Sequence, residues 1–178
     1  MRQLRHFRRG DGATELRVLG LDAGLAATGY GVVEARRNCF EAVEWGVWRT
    51  NRLKGMDKKL QLFCDELRKL LKRWKPDTVA FEGIYHFKNP RSAFMLAHVR
   101  GALMACAADF GIDVMEVAPS RVKSMITGSG RASKEQVAYA VGALLGLSDD
   151  VPFDASDALA VAISAAMELE GRRRIDER

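Results

Sequence analysis

Four carboxylates set into apolar sequence constrain this chain more than any other feature. Asp22 closes the run Val18-Leu19-Gly20-Leu21-Asp22, and Glu82 closes Thr78-Val79-Ala80-Phe81-Glu82. Asp154 and Asp157 open Asp154-Ala155-Ser156-Asp157-Ala158-Leu159-Ala160. Such stretches are largely buried, and a carboxylate that loses its water needs a proton, a cationic partner or a metal. One divalent-metal site satisfies all four at once, so the chain is expected to fold in a way that brings them together.

The surrounding pattern says how. Residues 16–21 read as a core strand that leaves through a glycine-punctuated turn at 24–29, and residues 30–34 and 39–48 as two further strands joined by short links. That succession predicts an antiparallel meander. Between Met56 and Trp74 the apolar residues recur every three or four positions, which predicts an amphipathic helix ending before Pro76. A buried strand at 77–82, a helix rich in Ala and Met at 90–110 and a strand at 112–117 follow, an alternation that implies parallel pairing. Ser133 with Gln136 three residues on forms a capping box for a helix to about Leu145, before Gly146. A last helix runs over 154–170.

With 178 residues, 48% of them hydrophobic, the chain suits one well-packed core, placed here at 16–170. Residues 1–15 form a basic extension and residues 171–178 a charged tail, both read as solvated ends without fixed structure. No apolar run approaches a membrane span and none follows the basic start as a secretion signal would, so a soluble, cytoplasmic protein is expected. Cys39, Cys64 and Cys106 are widely spaced, with no paired metal-ligand motif, and read as free thiols. The net charge of +5 is compatible with a polyanionic partner but does not select one.

In a sheet of mixed strands, ligands gather at the carboxyl ends of the parallel strands, where Asp22 and Glu82 stand. Asp154 and Asp157, three residues apart at a helix start, share a face, and the first turn favours negative charge. If that helix crosses the sheet near Asp22, the carboxylates converge. Oxygen ligands without a His or Cys cluster favour Mg²⁺, with Mn²⁺ as substitute, over zinc. Two ions about 4 Å apart support in-line displacement at phosphorus, so phosphodiester hydrolysis is the implied reaction. Taken singly, Asp22 reads as a turn acid, Glu82 as a solvated strand-end acid and Asp154 as a plain N-cap. Their combination in order carries the reading.

These residues resemble the RuvC family of Holliday-junction resolvases, whose fold is similar to ribonuclease H. The resemblance spans residues 17–167 and rests on Gly20-Leu21-Asp22-Ala23-Gly24, Thr28-Gly29-Tyr30-Gly31-Val32, Val79-Ala80-Phe81-Glu82, Arg121-Val122-Lys123 and the run 154–163. It implies a five-stranded mixed sheet, three antiparallel strands then two parallel, with helices on both faces. It further implies that Asp22, Glu82, Asp154 and Asp157 are catalytic metal ligands. Lys123 and Lys134 match basic positions used against the DNA backbone, where a point charge offsets charge building up on the phosphate; without the resemblance they read as surface lysines. Tyr85, three residues after Glu82, matches an aromatic position near the junction centre where a ring can stack on an unpairing base. Phe87 and His86 can assist it, and Lys88 and Arg91 can contact phosphate; packing within a strand-to-helix loop is the competing reading of the aromatic residues.

The implied activity is a Mg²⁺-dependent crossover junction endodeoxyribonuclease that acts in recombination and repair. It resolves four-way DNA junctions by paired symmetric nicks, as a homodimer cooperating with a branch-migration complex of RuvA and RuvB. Small residues along 92–106 can form the dimer contact or face the sheet. Two departures from the family stand out: Ala23 where proline is common, and about fifteen residues ahead of the first strand. The alternatives are a ribonuclease-H-like nuclease acting on RNA and a non-catalytic module for branched nucleic acid. An actin-like phosphotransferase, suggested by Asp22-x-Gly24 with Thr28-Gly29, needs a second such domain, for which the chain is too short.

Overall fold

A computed structural model describes residues 15–37, 39–83, 89–147 and 150–176. Strands β1 (Leu16–Asp22), β2 (Ala27–Arg36) and β3 (Cys39–Arg49) come first, then helix α1 (Met56–Trp74), strand β4 (Thr78–Glu82), helix α2 (Pro90–Asp109) and strand β5 (Asp113–Val117). Helices α3 (Pro119–Thr127), α4 (Lys134–Leu145) and α5 (Phe153–Asp176) complete the chain. The sheet order is β3-β2-β1-β4-β5. β1 pairs antiparallel with β2 and β2 with β3, whereas β1 with β4 and β4 with β5 are parallel. This is the expected meander followed by parallel strands.

The period of two along each strand sorts side chains between the faces. Leu19 and Leu21 of β1, Val32 of β2 and Val79 and Phe81 of β4 pack with Phe63, Leu67 and Leu71 of α1 and Val99 and Leu103 of α2. The alternate residues Val18, Val33, Ala35 and Ala80 pack on the other face with Val122 and Ile126 of α3, Val137 and Val141 of α4 and Leu159 to Ala166 of α5. Asp22 and Glu82 continue the second set by parity, so both carboxylates belong to the face that α5 covers.

Local signals start and stop the helices. Pro90 and the Asn89 side chain, which accepts from the Arg91 N–H at 2.9 Å, open α2. The capping box of α4 forms in full: the Ser133 N–H donates to Gln136 Oε1 at 2.9 Å and the Gln136 N–H to Ser133 Oγ at 3.3 Å. Gly146, at φ 63°, ends that helix in a left-handed cap.

Three features differ from expectation. Helix α3 is additional; it is short, opens on Pro119, and buries only Val122 and Ile126, too few for a periodic signal. β2 and β3 extend beyond the apolar runs because ladder hydrogen bonds carry them past it, with the register shifting between Val32 and Val33. α5 continues to Asp176 instead of ending at 170, with an Arg172–Glu168 ion pair of 2.7 Å across one turn, so the charged residues 171–176 are helix rather than tail. The expected basic extension lies, Glu15 apart, outside the described residues.

Candidate active site

Three glycines set α5 directly on the sheet. A Cβ on Gly20 would lie 2.1 Å from the Ala158 carbonyl oxygen and 2.7 Å from the Ala162 nitrogen. One on Gly29 would lie 1.8 Å from the Asp154 carbonyl oxygen, and one on Gly31 2.6 Å from Leu159 Cδ2. At Gly20 and Gly29 backbone therefore meets backbone. Gly29 stands opposite Asp22 in the β1–β2 ladder, so the helix start carrying Asp154 and Asp157 is held beside the end of β1. The parallel register pairs Leu21 with Phe81, which puts the next residues, Asp22 and Glu82, at adjacent strand ends.

The electrostatics record this convergence. Burial pushes the Asp22 carboxyl up from 3.8 to about 7, and the charges of Asp157, Glu82 and Asp154 add to the rise while Lys134 opposes it. Glu82 is also raised, first by burial and then by Asp157, against Lys123, Arg100 and Lys134. Lys134 Nζ lies 2.8 Å from Asp157 Oδ2. That hydrogen bond, ahead of the Coulomb contributions of Asp157, Asp22 and Asp154, holds the ammonium above its usual range. Lys123 sits half-buried on α3, near enough to act on Glu82.

The turn behind Asp22 is braced by two buried hydroxyls. Thr28, fully buried, donates its hydroxyl to the Gly24 carbonyl at 3.0 Å and accepts from the Gly24 N–H at 3.3 Å. Thr50 donates to the Leu25 carbonyl at 2.5 Å and, through its N–H, to the Ala26 carbonyl at 2.9 Å. Beside this turn Ala23, Gly24 and Leu25 face Arg91, Ser92, Met95 and Leu96 of α2 across a cleft of about 370 Å³. Arg91 therefore borders the carboxylates' strand end. Tyr85, His86, Phe87 and Lys88 lie outside the described residues.

Arg100 has a place in the site that its sequence context does not announce. It is buried in mid-α2; Nη1 donates to the Glu82 carbonyl oxygen at 2.6 Å and Nη2 to Glu116 Oε1 at 2.8 Å, with the guanidinium 5.1 Å from the Phe81 ring centroid. It ties the end of β4 to β5 and α2. The outer face of α2 presents Ala97, Gly101 and Ala105 with Phe94 and His98, all exposed, whereas Val99, Leu103, Cys106 and Ala107 face the core. The small-residue stripe thus points largely away from the sheet.

The donors suit a hard divalent cation. The groups sharing this neighbourhood are carboxylates; burial and their mutual charge keep Asp22 raised against Lys134, and Glu82 raised against Lys123, Arg100 and Lys134. Among the described residues no three His, Cys, Asp or Glu side chains stand as a ready-made coordination group, so the fit rests on charge and donor type. Chemically, such a cluster can gather cations at a phosphodiester, with Lys123 and Lys134 at its border.

A sequence model of the family described as crossover junction endodeoxyribonuclease RuvC matches residues 18–165. A protein of that name from Chlorobium phaeovibrioides is 42% identical over 159 residues, 88% of this chain and 84% of the relative. Another from Trichlorobacter lovleyi is 42% identical over 148 residues, 83% of each chain. Among solved structures, T. thermophilus RuvC in complex with Holliday junction substrate superposes with a TM-score of 0.79 at 26% identity, covering 87% of this chain and 95% of that one. The yeast mitochondrial Holliday junction resolvase Ydc2, at 15% identity and a TM-score of 0.64, shares the fold. The five-stranded mixed sheet is thus the ribonuclease-H-like one, and the chain belongs to the crossover junction endodeoxyribonuclease RuvC family.

Proposed function

We propose that this protein is a structure-selective endonuclease that resolves four-way DNA junctions by paired symmetric nicks, hydrolysing phosphodiesters at a centre built from Asp22, Glu82, Asp154 and Asp157. The observation that carries the reading is the seating of the α5 start, with Asp154 and Asp157, beside the adjacent strand ends that carry Asp22 and Glu82, in a member of this family. When bound, Mg²⁺ or Mn²⁺, two per site, supplies an activated water and positive charge at the leaving oxygen.

The chain's own groups do the rest. Burial first, and then the neighbouring acids, raise Asp22 to about 7, and a bound cation would favour its ionised form. Arg100 fixes the Glu82 backbone. Lys134, steadied by Asp157, and Lys123, near Glu82, place positive charge where the phosphate gains negative charge in the transition state. Arg91 and the residues Tyr85, Phe87 and Lys88 contact the junction strands near its centre. Family membership and the outward small-residue face of α2 support a homodimer, which sets two centres about a two-fold axis as paired nicks require. Cooperation with a branch-migration complex of RuvA and RuvB rests on the family alone.

The test is to incubate the purified chain with end-labelled four-way junction, matched linear duplex and RNA–DNA hybrid, with Mg²⁺, Mn²⁺ or chelator. Metal-dependent symmetric nicking confined to the junction is expected. Cutting of the hybrid alone would move the assignment to a ribonuclease, and binding without cutting under either metal would leave a binding module.

A further inference from the structure

A groove of about 560 Å³ runs between α4 and the first turns of α5, lined by Tyr139, Gly142, Leu147, Val151, Phe153 and Ser156 among others. Its volume is that of a small-molecule site, for which about 300–1,000 Å³ is usual. Two of its walls are large rings open to solvent, Tyr139 at 79% exposure and Phe153 at 52%. Exposed apolar surface that lines a concavity is a feature of ligand-binding grooves. Ala138, Gly142, Ala143 and Gly146 keep the α4 side of the groove shallow, leaving room against the rings.

The groove adjoins the acidic centre. Phe153 directly precedes Asp154, and Lys134 Nζ lies 5.3 Å from the Phe153 ring centroid as well as 2.8 Å from Asp157 Oδ2. One ammonium therefore borders both the carboxylates and the aromatic wall. At the floor Ser156 is 3% exposed, and its Oγ makes no hydrogen bond among the described residues. The groove thus combines a π face, a cation suited to a backbone phosphate and a polar group without a partner among the described residues. An apolar protein side chain would use the first alone.

We propose that this groove binds one unpaired nucleobase of the strand being cut, within two nucleotides of the scissile phosphate, stacking it on Tyr139 or Phe153. This rests on the nuclease reading above and adds to it a subsite formed by α4 and α5, on the other face of the sheet from α2. Stacking of this kind is tolerant of base identity, so the site holds the strand rather than reading its sequence.

The experiment uses junctions with 2-aminopurine placed singly at the two nucleotides on either side of the cut, bound to the full chain in chelator, and matching junctions with an abasic site. One position is expected to change in fluorescence on binding. Tyr139→Ala or Phe153→Ala should reduce that change, and Tyr139→Phe should keep it. In metal, the abasic junction and whichever alanine variant lowers the fluorescence change should each slow nicking about tenfold, with little further loss when combined. A wild type that nicks the intact junction yet shows no responding position, or a response indifferent to both alanine variants, overturns the subsite and leaves the nuclease standing. Failure to bind any junction overturns both.

Discussion

Gly29→Ala tests how the site is assembled, because this residue stands between two of its acids. It pairs with Asp22 across the β1–β2 ladder, and its missing Cβ leaves room for the Asp154 carbonyl. An added methyl would lie 1.8 Å from that oxygen and 2.4 Å from the Asp154 carbonyl carbon, where ordinary contact begins at 3.4 Å. The obstacle is backbone, so no rotamer change relieves it; the start of α5 must lift by about 1.6 Å (3.4 − 1.8) or β2 must yield. Overpacking of this kind costs about 1–3 kcal/mol, and a misplacement of about 1 Å in a catalytic constellation costs about 100-fold. Thermal melting should therefore fall by several degrees while junction nicking falls at least about 100-fold in protein that is still folded by circular dichroism. Gly171→Ala, whose Cβ would meet nothing within 4 Å, is the control; it should melt slightly higher and nick normally. A Gly29→Ala protein with wild-type melting and nicking would refute the seating of α5 on β2.

Further outcomes follow from the charges. Asp22 is raised from 3.8 to about 7, so the folded metal-free protein binds a proton there that the unfolded chain releases; stability falls as pH climbs from about 4 to 7 and stays low above. At pH 8, Asp22→Asn should then raise metal-free stability by up to about 4 kcal/mol, read by denaturant unfolding, while abolishing nicking and leaving junction binding in place. In saturating Mg²⁺ the midpoint of the pH–rate profile should lie below the 7 of the metal-free group, and calorimetry at pH 6.5 should show proton release on metal binding; no release would count against Asp22 as a ligand. Arg100→Met should lower stability by about 1–3 kcal/mol, since Glu116 is half exposed but the Glu82 carbonyl loses its donor, and should weaken metal activation of nicking. Arg100→Lys should restore part of the activity, and unchanged metal activation in both variants would remove Arg100 from the site.

The acids were legible in the sequence because each sits where apolar periodicity stops, at a strand end or a helix start. Such boundaries are where a fold can gather charge. The means of gathering them was not legible. Gly29 reads as turn punctuation and Gly20 and Gly31 as ordinary strand residues, yet all three lie within strands and serve as seats for α5, a role that depends on a helix more than 120 residues away. Arg100 looks like one more polar residue of an Ala-rich helix, and only its place on the buried face of α2 beside Val99 and Leu103 turns it inward to the Glu82 carbonyl. α3 escaped because a nine-residue helix with two buried side chains leaves almost no periodic trace. Likewise the last turns of α5 carry charge rather than a core face, so composition argued for a tail where an ion pair across one turn sustains helix.

The central claim is that Asp22, Glu82, Asp154 and Asp157 act as one metal-dependent centre. Single variants Asp22→Asn, Glu82→Gln, Asp154→Asn and Asp157→Asn, each checked for folding and junction binding, should be titrated with Mg²⁺ and with Mn²⁺ while nicks are mapped on both strands. All four are predicted to bind the junction and to lose symmetric nicking by at least about 1,000-fold, as members of a unit do. A variant that nicks at the wild-type rate would contradict the claim.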